Sequence, residues 1–151
     1  MTPANGYILE RTQTVPVAID EAFAFFSQAR NLEAITPSWL RFEVLRAPDE
    51  LRSDALIHYR LELFGVRVHW LTRIATWRPP RSFVDEQILG PYPVWEHTHR
   101  FSSVNGGTEL YDHVRYRVPG GVFAPLVQRV VARWLEQIFD YRAERLEEIL
   151  A

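Results

Sequence analysis

The chain has 151 residues, 47% hydrophobic, 13% aromatic and 24% charged, with a formal net charge of −2. That length suits one domain burying roughly 70% of the surface its unfolded form exposes, and the composition argues against disorder. There is no cysteine, which excludes disulfides, thiolate nucleophiles and cysteine-based metal sites. All 17 basic residues are arginine, which excludes Schiff-base and P-loop lysines, and their scatter lacks the clustered footprint of a nucleic-acid binder. The N-terminus has neither the basic start nor the apolar run of a signal peptide, and no stretch reaches the ~20 apolar residues of a membrane span. A cytoplasmic protein, not integral to a membrane, is expected.

Turn signals divide the chain into short patterned segments without repeats or polar linkers, so residues 1–151 read as a single unit. Tyr7 to Val15 reads as a strand ended near Pro16. Ile19, Ala22, Phe23 and Phe26 then recur at helical spacing, and Asn31 to Ile35 adds a helical turn that must stop before Pro37. Thr36 to Leu40 reads as a loop. From Arg41 the period becomes two: Phe42 and Val44 alternate with charged residues, then Ala55, Ile57, Tyr59, Leu61 and Leu63 alternate with His58, Arg60 and Glu62.

Gly65 offers a turn into Val68 to Trp77, which Pro79-Pro80 stops. Ser82 to Leu89, Val94 to Val104 and Thr108 to Val118 are further strands, the last two joined by the hairpin signal Asn105-Gly106-Gly107. After Pro119-Gly120-Gly121 the helical period returns. Val127, Val130, Val131, Trp134, Leu135, Ile138, Phe139, Arg142, Leu146 and Ile149 mostly fall on one wide stripe of a helix of ~29 residues, about Val122 to Leu150 and roughly 43 Å long.

Only the preceding antiparallel run can cover that stripe, so the helix lies across a twisted sheet and space remains where side chains do not fill the gap. The fold class is α+β, and that space is the expected pocket. On the strand from Val94, Trp95, His97, His99, Phe101 and Ser103 share the inward face. Leu110, Asp112, Val114, Tyr116 and Val118 share that of the next strand. The expected ligand-binding set is Tyr59, Trp70, Trp95, His97, His99, Phe101, Asp112, Tyr116, Trp134 and Ile138.

Asp112 should lie near one of the two histidines across the hairpin. One reading makes His97 or His99 a general base oriented by Asp112. The other makes all three a satisfied buried network that fixes sheet register, because buried polar groups need partners whether or not they react. His97-x-His99 with Asp112 could also ligate a metal, but a third clear histidine is lacking, and no metal or cofactor is expected. His58, His69 and His113 have weaker claims. Asp85 and Gln87 share a face with Phe83, yet the opposite face, Val84, Glu86 and Ile88, is no more polar, so their direction is open. Trp39 is expected to pack under the terminal helix, with a gate to the pocket as the alternative.

The element order, together with Ile35-Thr36-Pro37-Ser38-Trp39-Leu40, Trp77-Arg78-Pro79-Pro80, Phe83-Val84-Asp85, Gly90-Pro91-Tyr92, Trp95 with His97-Thr98-His99-Arg100-Phe101, and Asp112, Val114, Tyr116 and Pro119-Gly120, resembles a bacterial branch of the START-like, or polyketide cyclase/dehydrase (SRPBCC), group. The resemblance implies a helix-grip fold of about six to seven strands around the terminal helix, with two short helices after the first strand. It also implies a cavity for a lipid, polyketide or other hydrophobic molecule. Fold alone does not decide activity. Three functions follow as expectations: a binding or carrier domain for a small hydrophobic ligand; a cyclase, dehydratase or isomerase using His97, His99 and Asp112; and a protein-interaction or stress-response domain. A homodimer is left open.

Overall fold

Alternating apolar and polar residues build the sheet. In the computed structural model, which describes residues 6–151, the strands are β1 (Tyr7–Val15), β2 (Glu43–Arg46), β3 (Leu56–Leu63), β4 (Val66–Arg78), β5 (Ser82–Leu89), β6 (Val94–Val104) and β7 (Gly107–Arg117). They form one seven-stranded sheet in the order β1-β7-β6-β5-β4-β3-β2, antiparallel at every pairing. The strict inside-outside alternation is clearest on β7, where Leu110, Asp112, Val114 and Tyr116 are buried.

Consecutive strands from β2 to β7 are neighbours, whereas β1 pairs with β7 at the far edge from β2. The connection between the two edges, residues 16–42, therefore has to cross the sheet. It does so as α1 (Ile19–Phe26), a 3-10 segment (Ala29–Ile35) and a 3-10 turn (Ser38–Leu40). Thr36 is extended, φ −111° and ψ 133°, as a residue before proline must be. The turn at Ser38–Leu40 replaces part of the loop expected at Thr36–Leu40 and is closed by the Leu40 and Arg41 N–H groups on the carbonyls of Pro37 and Ser38.

Helix α2 (Ala124–Ile149) has 26 residues and so spans ~39 Å. It begins two residues later than the periodicity suggests. Gly120 and Gly121 take positive φ, and Gly121–Phe123 form a 3-10 turn instead. Pro125 then sits in the first turn, where a missing N–H costs nothing. Val131, Leu135, Phe139 and Leu146 bury their side chains beneath the helix, while Val130 and Ile149 of the expected stripe remain exposed.

The space between α2 and the sheet is filled at one end by an aromatic cluster. Phe23 and Phe26 of α1 meet Phe101 at ring-centroid distances of 5.0 and 5.5 Å, and Phe23 meets Phe83 edge-on at 5.9 Å. Burying each ring contributes roughly 1.5–3 kcal/mol. Elsewhere side chains leave that space unfilled.

Two turns depend on glycine. Gly107 opens β7 with its α-carbon against β1, where a Cβ would lie 2.0 Å from the Val15 carbonyl oxygen. Phe64-Gly65, between β3 and β4, has φ of 51° and 76°. A two-residue hairpin with both central φ positive has the twist that matches the strands, and it favours Asn-Gly or Gly-Gly. Gly65 fits without strain; Phe64 does not.

Candidate functional site

A cavity of about 160 Å³ lies between α2 and the inner face of the sheet. That is close to the ~150 Å³ that holds a benzene-sized molecule in an apolar interior. Tyr59, Leu61 and Trp70 from β3 and β4, Trp95 from β6, and Trp134, Ile138 and Phe139 from α2 form apolar walls, closed on the side of the connecting segment by Leu32 and Ile35. Trp70 meets Trp95 edge-on at 5.3 Å and stacks on Tyr59 at 5.6 Å. Its indole N–H is buried and has no acceptor among the described residues.

One end of the cavity is polar: Asp85, His97, His99 and Arg142. Strand register explains the set. Asp85 lies directly opposite His97 across β5 and β6, and Asp112 directly opposite His99 across β6 and β7. Each acid bonds the diagonal histidine instead. Asp85 Oδ2 is 2.6 Å from His99 Nε2, and Asp112 Oδ1 is 2.7 Å from His97 Nε2. The remaining approaches are longer: His97 Nδ1 to Asp85 Oδ2 is 3.9 Å, and His99 Nδ1 to Asp112 Oδ1 is 3.5 Å. The His97 and His99 rings stack at 3.6 Å, and Phe83 stacks on His99 at 4.0 Å, so the imidazoles cannot turn freely.

Arg142 completes the group. Its Nη2 donates to Asp112 Oδ1 at 3.0 Å, and its guanidinium lies over Phe26 and Phe139 at 5.2 and 5.3 Å. Its Nε–H is buried without an acceptor among the described residues.

Charge follows from these partners. Burial pushes Asp112 upward, but Arg142 and the two histidines outweigh it and hold the carboxyl well below the usual carboxylate range. Burial, together with the His97 ring, lowers His99 well below the ordinary imidazole value, against the pull of Asp112. Burial raises Asp85, offset in part by His97 and Arg142. An ionised Asp112 only accepts, so His97 Nε2–H donates to it. Asp85 Oδ2 and His99 Nε2, 2.6 Å apart, are joined by a hydrogen bond.

Of the residues expected at the ligand, Tyr59, Trp70, Trp95, His97, His99, Trp134 and Ile138 border the cavity; Phe101, Asp112 and Tyr116 do not. Phe101 lies in the aromatic cluster beyond His99. Asp112 is covered by His97 and Arg142. Tyr116 packs on Tyr7 at 5.8 Å and accepts from Gln128 Nε2 at 3.1 Å. Asp85 points inward, whereas Gln87 closes the β5–β6 loop by accepting the Tyr92 N–H at 3.0 Å and donating to the Tyr92 carbonyl. Trp39 is 48% exposed beside Trp134, at 6.3 Å, and is not packed under the helix.

Asp85 and Arg142 are the functional candidates that sequence reasoning did not place. Arg142 stood in the apolar stripe of the helix, and a charged residue at a buried stripe position was its signal. His58 and His69 form an exposed pair on the outer face, Nε2 to Nδ1 2.9 Å. No helix among the described residues is long and apolar enough to cross a membrane.

An antiparallel sheet closed by one long helix over an apolar cavity with a polar end defines a helix-grip domain that binds hydrophobic ligands. The chain belongs to the polyketide cyclase / dehydrase and lipid transport family, whose model matches residues 15–140. No sequence of a curated protein matches the chain at a significant level. Solved structures share the fold. The Zhui aromatase/cyclase from Streptomyces sp. R1128 superposes with a TM-score of 0.72 at 14% identity, over 95% of this chain and 93% of that one. A START superfamily protein from Mycobacterium smegmatis superposes at 0.69 and 16% identity, over 95% and 99%. The protein TTHA0849 from Thermus thermophilus superposes at 0.71 and 17%, over 94% and 95%.

Proposed function

We propose that the protein binds or carries a small hydrophobic molecule whose ring-sized segment occupies the cavity and presents acceptor oxygens to its walls. The observation behind this reading is the pair of unmatched donors, the Trp70 indole N–H and the Arg142 Nε–H, both buried in residues that line a largely apolar cavity with one polar end. Nearly all buried donors in folded proteins have partners. A ketone, phenol or carboxylate on an aromatic or polyketide-like skeleton supplies them, and the remainder of a longer ligand leaves past Trp134.

Tryptophan fluorescence titrations with toluene, acetophenone and benzoate test this. Both oxygenated probes are expected to bind at least ten-fold more tightly than toluene, because a matched buried donor contributes roughly 1.5 kcal/mol. The advantage should shrink in Trp70→Phe. Equal affinity for all three, or no binding in the millimolar range, overturns the reading. Native mass spectrometry after solvent extraction identifies any molecule that co-purifies.

A second reading is supported by the hydrogen bond that joins Asp85 and His99 at the cavity wall. Cyclase or dehydratase chemistry needs a group that takes a proton next to a carbonyl and returns it. In this reading Asp85 and His99 exchange that proton, while Asp112 and Arg142 hold the imidazoles in place. With a co-purified ligand as substrate, Asp85→Asn should abolish turnover while leaving affinity within a few-fold; undiminished turnover excludes the pair.

A further inference from the structure

The polar end of the cavity carries more acceptor capacity than its hydrogen bonds use. Asp112 accepts from His97 Nε2–H and from Arg142, and His99 Nδ1 faces the same carboxylate oxygen at 3.5 Å. In the tautomer that moves the His99 proton from Nε2, where it serves the hydrogen bond to Asp85, to Nδ1 on the Asp112 side, His97 Nδ1 and His99 Nε2 both present lone pairs. Both face a single atom, Asp85 Oδ2, at 3.9 and 2.6 Å. Three acceptors then converge, and a cation is what satisfies them.

We infer that Asp85, His97 and His99 form a mononuclear site for a divalent first-row transition ion, zinc or ferrous iron. Two imidazoles and one carboxylate are ligands that both ions accept, and in both cases the set leaves coordination positions open. The ligand atoms already lie within 4.8 Å of one another. Bonds of ~2.0–2.1 Å in a tetrahedral arrangement place ligands ~3.3 Å apart. The 2.6 Å contact therefore opens by ~0.7 Å and the 3.9 Å one closes by ~0.6 Å.

Three further features favour an ion. His97 has the second-sphere carboxylate that orients a metal-bound imidazole, through its Nε2–H to Asp112. Arg142 neutralises that carboxylate, so the charge left for the ion is that of Asp85. His99, 4% exposed, has an Nδ1 with no hydrogen bond, 3.5 Å from Asp112, so that nitrogen is free to hold the ring proton when Nε2 takes the ion. The open coordination positions face the cavity, because Asp85, His97 and His99 all border it. An acceptor oxygen of the bound molecule would complete the sphere there, a step that rests on the binding reading above.

The test uses chelator-treated full-length protein and Co2+ as a spectroscopic probe, with Zn2+ and anaerobic Fe2+ as competitors. One Co2+ per chain is expected, with the intense visible bands of a four- or five-coordinate ion, displaced by whichever of the two is native. Asp85→Asn and His97→Gln should weaken binding at least 100-fold. His58→Ala, at the exposed histidine pair, should leave it unchanged. X-ray absorption of the Zn2+-loaded wild-type protein needs no variant and should show two imidazoles with oxygen ligands. Absence of Co2+ binding below about 1 mM overturns the inference, as does binding that survives Asp85→Asn and disappears in His58→Ala. The toluene, acetophenone and benzoate titrations on metal-free protein are read separately, so failure of the metal site leaves the ligand reading standing, and the converse holds too.

Discussion

Arg142 and Asp112 show how a buried charge is tolerated beside an apolar cavity. Each is about one-tenth exposed at the side chain, and their 3.0 Å contact is backed by the His97 bond and by two aromatic faces over the guanidinium. Removing one partner of such a pair typically costs 3–5 kcal/mol, because the remaining charge is stranded in a medium that does not solvate it. Arg142→Met should therefore lower unfolding free energy in urea by about 3 kcal/mol. The double variant Arg142→Met/Asp112→Asn should recover a large part of that loss. Additive effects in the double variant would show that the two groups do not interact. The histidines and Asp112 were legible from the two-residue period, which put them on the inner faces of β6 and β7. Asp85 was not, since the two faces of β5 are equally polar in sequence, and only the pairing with β6 decides between them. Phe101 and Tyr116 share the right face yet do not border the cavity, and periodicity gives a face without giving a depth.

Elements were easier to read than their contents. Strand β1, and β5 between Pro80 and Gly90, emerge at the bounds expected from turn residues and alternation. Helix α2 starts late because local conformation at Gly120 and Gly121 overrides a hydrophobic pattern that runs on through Val122. The β6–β7 hairpin was the strongest turn signal, but the reason for its second glycine appears only in three dimensions. Gly107 faces the backbone of β1, which is remote in sequence. Gly107→Ala forces the β1–β7 ladder apart at Val15 and Thr108. Forced overpacking of this kind costs about 1–3 kcal/mol. Hydrogen exchange should then speed up selectively at the Val15 end of β1. Protection unchanged there would mean that the edge strand yields without cost.

At the scale of the whole molecule, three separate parts of the chain meet at Trp134, which borders the cavity. The connecting segment brings Trp39, the β3–β4 hairpin tip brings Phe64, and α2 brings Trp134, whose ring lies 6.3 Å from the first and 4.5 Å from the second. Phe64 is 74% exposed and holds a left-handed backbone, φ 51°. Its burial gains little, and the conformation costs on the order of 1 kcal/mol for a bulky residue. Neither term explains a phenylalanine at a turn position suited to asparagine or glycine, whereas a ring laid against the cavity-lining Trp134 does. Phe64→Gly separates the two effects. Stability should stay level or rise by up to about 1 kcal/mol as backbone strain is relieved. Dissociation of acetophenone in stopped-flow fluorescence should become several-fold faster, with association changed less, because a covering ring raises the barrier to leaving more than it alters encounter. A stabilised variant with an unchanged dissociation rate would show that Phe64 does not cover the entrance and would leave the passage to Trp134 alone.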